Sequence, residues 1–172
     1  MRGWMPAAIA ALIAVPAGAD PIAITKSVKA VSDADGNAAS RLLPGVVADY
    51  RTVATNNAGT LTVVRGLLLT EPLPAGVVLR VVDLATAGKG PVELSDVNLL
   101  GTGLLSSGLT LSYSASSPAS DGVEFYDGSS WAYQPVPDAT GYDPRVRAIR
   151  VTLNGTFASG ASFQLRYRVK IR

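Results

Sequence analysis

The 172-residue chain contains neither cysteine nor histidine. Without cysteine there is no disulfide, no thiolate nucleophile, no thiolate metal site and no covalent pairing of subunits. Without histidine the commonest general base, the commonest zinc ligand and the usual pH switch are all missing. Charge is sparse at 16% of residues and aromatics make up 6%. Apolar runs are short as well. Ala7 to Val15 is free of charge, but a spanning helix needs about 20 apolar residues. No later segment is long and apolar enough to be a transmembrane helix.

That short run has the setting of a cleavable export signal. Arg2 precedes it, Pro16 breaks it, and Ala17-Gly18-Ala19 offers the small residues signal peptidase accepts. Cleavage before Asp20 is expected, with residues 1–19 as the signal and residues 20–172 as one mature domain. The expected location is outside the cell or on the cell envelope of a prokaryote. A mature chain of this size buries about 68–70% of its unfolded surface, so it holds together without disulfides. Net charge hides an asymmetry. Residues 20–144 carry 7 basic and 13 acidic side chains, whereas residues 145–172 carry 7 basic and none acidic. Either the basic end is a solvated strand face paired with acidic neighbours, or the subunit is polar and its ends attract each other or an anionic surface.

The mature chain reads as strands throughout, punctuated by 15 of the 17 Gly and 9 of the 11 Pro in the full sequence. Phe163, Leu165, Tyr167, Val169 and Ile171 alternate with Gln164, Arg166, Arg168, Lys170 and Arg172. A strict period of two marks a strand with one buried and one cationic face. Similar alternation occurs around Leu79, Leu111 and Val151, while Asp127-Gly128 and Asn154-Gly155 are turn signals. Arg145 and Arg147 share parity with Ile149, Val151 and Leu153, so that strand either starts beyond them or carries a bulge near Ala148. Residues 85–108 and 134–144 read as long irregular connections. The expected fold is all-β: a two-layer antiparallel immunoglobulin-like sandwich of seven to nine strands.

Residues 44–77 hold the most specific pattern. Pro44-Gly45 opens a strand containing Tyr50, Asn56 follows six residues later, and Glu71 precedes Leu73-Pro74-Ala75-Gly76. This pattern resembles the conserved repeat domain of prokaryotic surface proteins, the domain-of-unknown-function-eleven family. Glu71 stands where that family more usually has Asp. Thr52 and Ala54 replace larger apolar residues, so the strand packs thinly or sits at an edge. The resemblance implies an immunoglobulin-like sandwich that builds or decorates a cell surface, with Tyr50, Asn56, Glu71, Leu73, Pro74 and Gly76 in structural roles. A strand tyrosine buries its ring and bonds backbone through its hydroxyl. Asn56 either bridges backbone groups or takes left-handed geometry.

Reactive motifs are few. Asp33, Asp35 and Asn37 are spaced two apart, as oxygen ligands of calcium are. However, Gly36 is fourth rather than sixth in the loop, and Pro44 stands twelfth where an EF-hand has Glu; a plain Asp-Gly-Asn turn is the other reading. Glu93 with Asp96 and Asp121 with Glu124 are carboxylate pairs, but a glycosidase needs its pair facing across a cleft. No Gly-x-Ser-x-Gly or Ser-x-x-Lys motif occurs. Trp131, Tyr126 and Tyr133 form either a sugar-stacking surface or ordinary core and edge packing. No enzyme, cofactor or nucleic-acid partner is expected. The first functional expectation is a non-enzymatic surface subunit, pilus-like or coat-like. It self-associates by strand addition through Ile22, Ile24 and Val28 of the new N-terminus. The alternative is a monomeric adhesin or carbohydrate-binding module, with or without calcium.

Overall fold

The alternation at the chain end produces a ten-residue strand whose apolar side chains all point one way. Phe163, Leu165 and Val169 are at most 1% exposed. In the computed structural model residues 21–59, 62–97, 106–114 and 121–172 are described; the export signal expected at residues 1–19 lies outside them. The strands in order are β1 (Ile22–Ser32), β2 (Val47–Asn56), β3 (Val64–Pro72), β4 (Val77–Arg80) and β5 (Val92–Asp96). They continue as β6 (Leu109–Thr110), β7 (Val123–Tyr126), β8 (Tyr142–Asp143), β9 (Ala148–Phe157) and β10 (Ser162–Ile171). There is no helix among the described residues.

The strands form two antiparallel sheets, giving the all-β sandwich expected from the sequence. One sheet has the order β1-β2-β10-β4-β8, with β5 also pairing β10; the other has β3-β9-β6, with β7 also pairing β9. Two long strands organise the molecule. Along β10, β2 occupies one edge, while β5 and β4 share the other. Along β9, β3 occupies one edge, and β7 and β6 share the other. The inner faces of β9 and β10 meet in the core. There Phe157 and Phe163 pack edge-on with ring centroids 5.1 Å apart, a favoured aromatic geometry.

Ten described strands replace the seven to nine expected. β5 and β8 lie inside the two stretches read as irregular, and β6 and β8 are only two residues long, too short for periodicity to reveal. Asn154-Gly155 is not a turn. It falls within β9, where the pairing with β3 shifts between Arg65 and Leu67. Gly155 has φ +111° there, and a Cβ would overlap the Gly108 carbonyl oxygen, so the site accepts only glycine. Arg145 and Arg147 precede β9, which starts at Ala148.

Candidate functional site

The two sheets differ in width at one flank, and the candidate site lies there. β1 pairs with β2 in continuous register from Ile22 opposite Asn56 to Ala30 opposite Ala48. Even-numbered residues of both strands therefore share the face turned toward the second sheet. On β2 that face is covered: Ala48, Thr52, Ala54 and Asn56 are at most 2% exposed. On β1 it is not, since Ile24 is 56% and Val28 39% exposed. The physical reason is that, among the described residues, the second sheet ends at β3, which there pairs only with β9. Ile22 packs against the core, so of the three residues expected to mediate assembly two are open and one is anchored. At the far end a Ser32–Ala38 bridge folds the following loop back onto β1, leaving most of the edge unpaired among the described residues.

Lys26 crosses the step between the sheets. Its Nζ lies 2.7 Å from Glu71 Oε2, and Thr52 Oγ1 donates to Glu71 Oε1 at 2.9 Å. This explains the small residues on β2. A larger side chain at position 52 would displace the Glu71 carboxylate, which is 4% exposed. The strand packs thinly for that reason; it is not an edge, because it lies between β1 and β10. Beside it a groove of about 220 Å³ is lined by Lys26, Val28, Tyr50, Glu71, Pro74 and Tyr167. Tyr50 and Tyr167 stack at 5.5 Å. Burial, followed by the charge of Glu71, raises the Tyr167 phenol above its ordinary pKa. The groove thus brings together Val28 of the expected assembly strand and three of the six motif residues.

The other motif residues hold the flank in place. Asn56 bridges the sheets: its Nδ2 donates to Phe157 O at 2.8 Å, and its Oδ1 accepts from Ala58 N at 2.9 Å. It does so without left-handed backbone, which among the described residues only glycines adopt. Leu73 N donates to Arg147 O, and Gly76, with φ +82°, accepts at its carbonyl from Arg172 N. That turn carries the chain from one sheet to the other. Tyr50 departs from expectation, because its hydroxyl has no hydrogen bond among the described residues.

The remaining sites are mostly internally satisfied. Asp33 Oδ1 accepts from the backbone N–H of Asp35 at 3.0 Å and of Asn37 at 2.8 Å. Its carboxylate is thus the acceptor of an Asx turn, and the Asn37 amide also donates to it. Glu93 bonds Arg166, Asp96 accepts from Ser107 N, Asp121 from Val123 N, and Glu124 pairs with Arg150. A cleft of about 570 Å³ opens between the β7 region and the 81–88 loop, lined by Tyr113, Trp131 and Tyr133 among others. Trp131, however, stacks on Tyr126 at 5.0 Å and carries the Arg150 guanidinium 3.9 Å from its centroid. Tyr133 donates its hydroxyl to buried Asp143 at 2.5 Å and has Arg145 over its ring. Two of the three expected aromatics therefore line a cleft, yet the Trp131 ring and the Tyr133 ring and hydroxyl already have protein partners.

No family model, curated protein or solved structure matches the chain. Sequence reasoning missed the Lys26–Glu71 crossing, which joins residues 45 apart, and the buried Asp143; it allowed acidic neighbours for the basic end without identifying Asp49 and Glu93, 117 and 73 residues from Arg166. The one available signal was parity: Lys26 keeps the phase of Ile22, Ile24 and Val28, so a cation on that phase implies a buried acid opposite.

Proposed function

We propose that this chain is a non-enzymatic surface subunit that self-associates through the open flank formed by β1. The observation that carries this reading is the unbroken exposure of Ala23 through Lys29 on a strand whose outer edge is unpaired. Such an edge is a template for another chain, and natural monomers blunt it with short strands, inward charges or covering loops. Here the strand is 11 residues long. Its only inward charge, Lys26, is neutralised by Glu71. The export pattern of residues 1–19 and the resemblance of residues 44–77 to surface repeats support the same reading. Cleavage before Asp20 frees the end of β1, and a neighbour's strand added at β3 covers Ile24 and Val28 directly.

The test uses residues 20–172, with and without Ile24→Lys and Val28→Lys together. Both positions are exposed, so the double variant keeps the fold and its circular dichroism. Wild type is expected to give concentration-dependent oligomers or filaments by size exclusion and negative-stain imaging, and the variant monomers. A wild-type protein that stays monomeric at every concentration would sink this reading in favour of a monomeric binding module.

A further inference from the structure

The outer face of the larger sheet has a charge balance that the fold does not need. Residues of β10 that alternate with the core strand positions point outward: Arg166, Arg168 and Lys170, each partly exposed. The register places Arg51 of β2 beside Arg166 and Asp49 beside Arg168. Lys29 of β1 lies beside Asp49, and Glu93 of β5 beside Arg166. Arg80, next to buried Leu79, continues the same face on β4. Six cations therefore share the face with two carboxylates.

Those two carboxylates are fully engaged by two of the cations. Asp49 accepts from Arg168 Nε at 2.7 Å and from Arg166 Nη1 at 3.0 Å, and Glu93 accepts from Arg166 Nε at 3.0 Å. Among the described residues Lys29, Arg51 and Lys170 form no ion pair, although the charge of Lys170 is felt by Asp138. Lys170 lies over the Tyr142 ring at 4.8 Å. The Arg51 side chain makes no hydrogen bond among the described residues, and its Nε is buried without a partner there. It also stands directly across from Arg166, a like-charge pairing that destabilises a sheet. A buried donor left unsatisfied adds to that cost. An anion lying across the strands relieves the like-charge pairing, whereas the Nε, buried from solvent, lies out of its reach.

We propose that this face binds an extended anionic polysaccharide, whose carboxylate or sulfate groups meet Lys29, Arg51 and Lys170. The cations stand on the outer face of a sheet, where neighbouring strands about 4.8 Å apart spread the three of them over β1, β2 and β10. That layout suits a polymer with repeating charge better than a single small ion. Thr25 and Ser27 share the outward parity of Lys29 on exposed β1 and supply hydroxyls for sugar. Nucleic acid is disfavoured because base stacking needs open aromatic faces, and Tyr142, the aromatic on this face, is 5% exposed. A membrane is disfavoured because the large exposed apolar residues, such as Ile24, Val28, Leu68 and Val136, lie elsewhere.

Affinity electrophoresis of residues 20–172 through gels containing alginate, dextran sulfate or neutral dextran tests the proposal. Alginate and dextran sulfate separate the carboxylate and sulfate sources. Two triple variants carry the same change in net charge: Lys29→Gln/Arg51→Gln/Lys170→Gln on the face, and Arg65→Gln/Lys89→Gln/Arg147→Gln off it. Wild type and the off-face variant are expected to be retarded by at least one polyanion and not by neutral dextran. The on-face variant should bind about tenfold more weakly, a typical size for a focused electrostatic effect. Arg51→Gln alone should lower affinity while leaving the unfolding midpoint unchanged or raised. Equal weakening of both triple variants, no retardation of wild type, tighter binding to single-stranded DNA than to either polysaccharide, or a destabilised Arg51→Gln protein would each overturn the proposal.

Discussion

β1 and β10 are strands of one sheet, nearly equal in length, separated only by β2, and they live in different environments. β10 has neighbours on both edges and a second sheet beneath it. Its inward residues are buried and its outward residues half-covered by ion pairs. β1 has one neighbour, an uncovered face and seven consecutive exposed residues. The difference shows that a strand's stability comes from what covers it, not from its propensity, since Ile and Val serve both strands. It also divides the molecule. The β9–β10 pair holds more of the buried core than any other two strands, and the β1 flank is where apolar surface is left uncovered among the described residues.

The largest test of this contrast compares one apolar residue from each strand. Phe163→Ala should destabilise by about 3–5 kcal/mol, because its ring is fully buried against Phe157. Ile24→Ala should change the urea midpoint by less than about 0.5 kcal/mol equivalent, with its side chain 56% exposed. Comparable losses at the two positions would mean that β1 is covered in solution by something absent from the isolated subunit. A second substitution probes where the contrast begins. Asn56→Ala removes the sheet-bridging hydrogen bond to Phe157 O and the local one from Ala58 N, leaving both groups buried, at a cost of about 2–4 kcal/mol. Asn56→Asp keeps the Oδ1 acceptor for Ala58 but sets a carboxylate against a carbonyl, so it should be no better than alanine in the same denaturation assay.

The sequence revealed β10 almost residue by residue because each inward position is apolar and each outward one polar. It revealed that β1 is a strand but not that its inner face lies open. That depends on where the second sheet ends, which the pairing of β3 with β9 decides. Lys26 shares the phase of its apolar neighbours on β1, and its meaning lies in Glu71, 45 residues away. Asn154-Gly155 has the same local signature in a bulge as in a hairpin turn, since both need a residue with positive φ. The Asp33 loop was legible as a turn or a calcium site. Backbone N–H groups within four residues decide how its carboxylate is used, and they carry no side-chain signature. Trp131 and Tyr133 were visible as surface aromatics, but the cations over their rings come from Arg150 and Arg145, beyond a proline-rich connection.

The smallest expected effect concerns the ion pairs that make β10 differ from β1. Burial opposes the charge of Asp49, but the hydrogen bond from Arg168 and the charges of Arg168 and Arg166 outweigh it, so its pKa lies below the ordinary 3.8. A carboxylate with a depressed folded-state pKa contributes stability above its unfolded value, and that contribution disappears as pH falls through the folded value. Asp49→Asn keeps an acceptor oxygen and leaves Arg166 bonded to Glu93, while the freed guanidinium groups are about a quarter exposed. Solvent therefore compensates part of the loss, and the variant should be only about 1 kcal/mol less stable than wild type at neutral pH. Urea unfolding across the acid range should show that gap closing below the ordinary carboxylate pKa, as wild-type Asp49 takes up its proton. The same titration on Lys29→Gln should show no such pH-dependent gap, because Lys29 borders Asp49 in register without an ion pair to it. A gap for Asp49→Asn that persists into acid would mean that Asp49 contributes shape rather than charge, and that the outer face owes its order to packing alone.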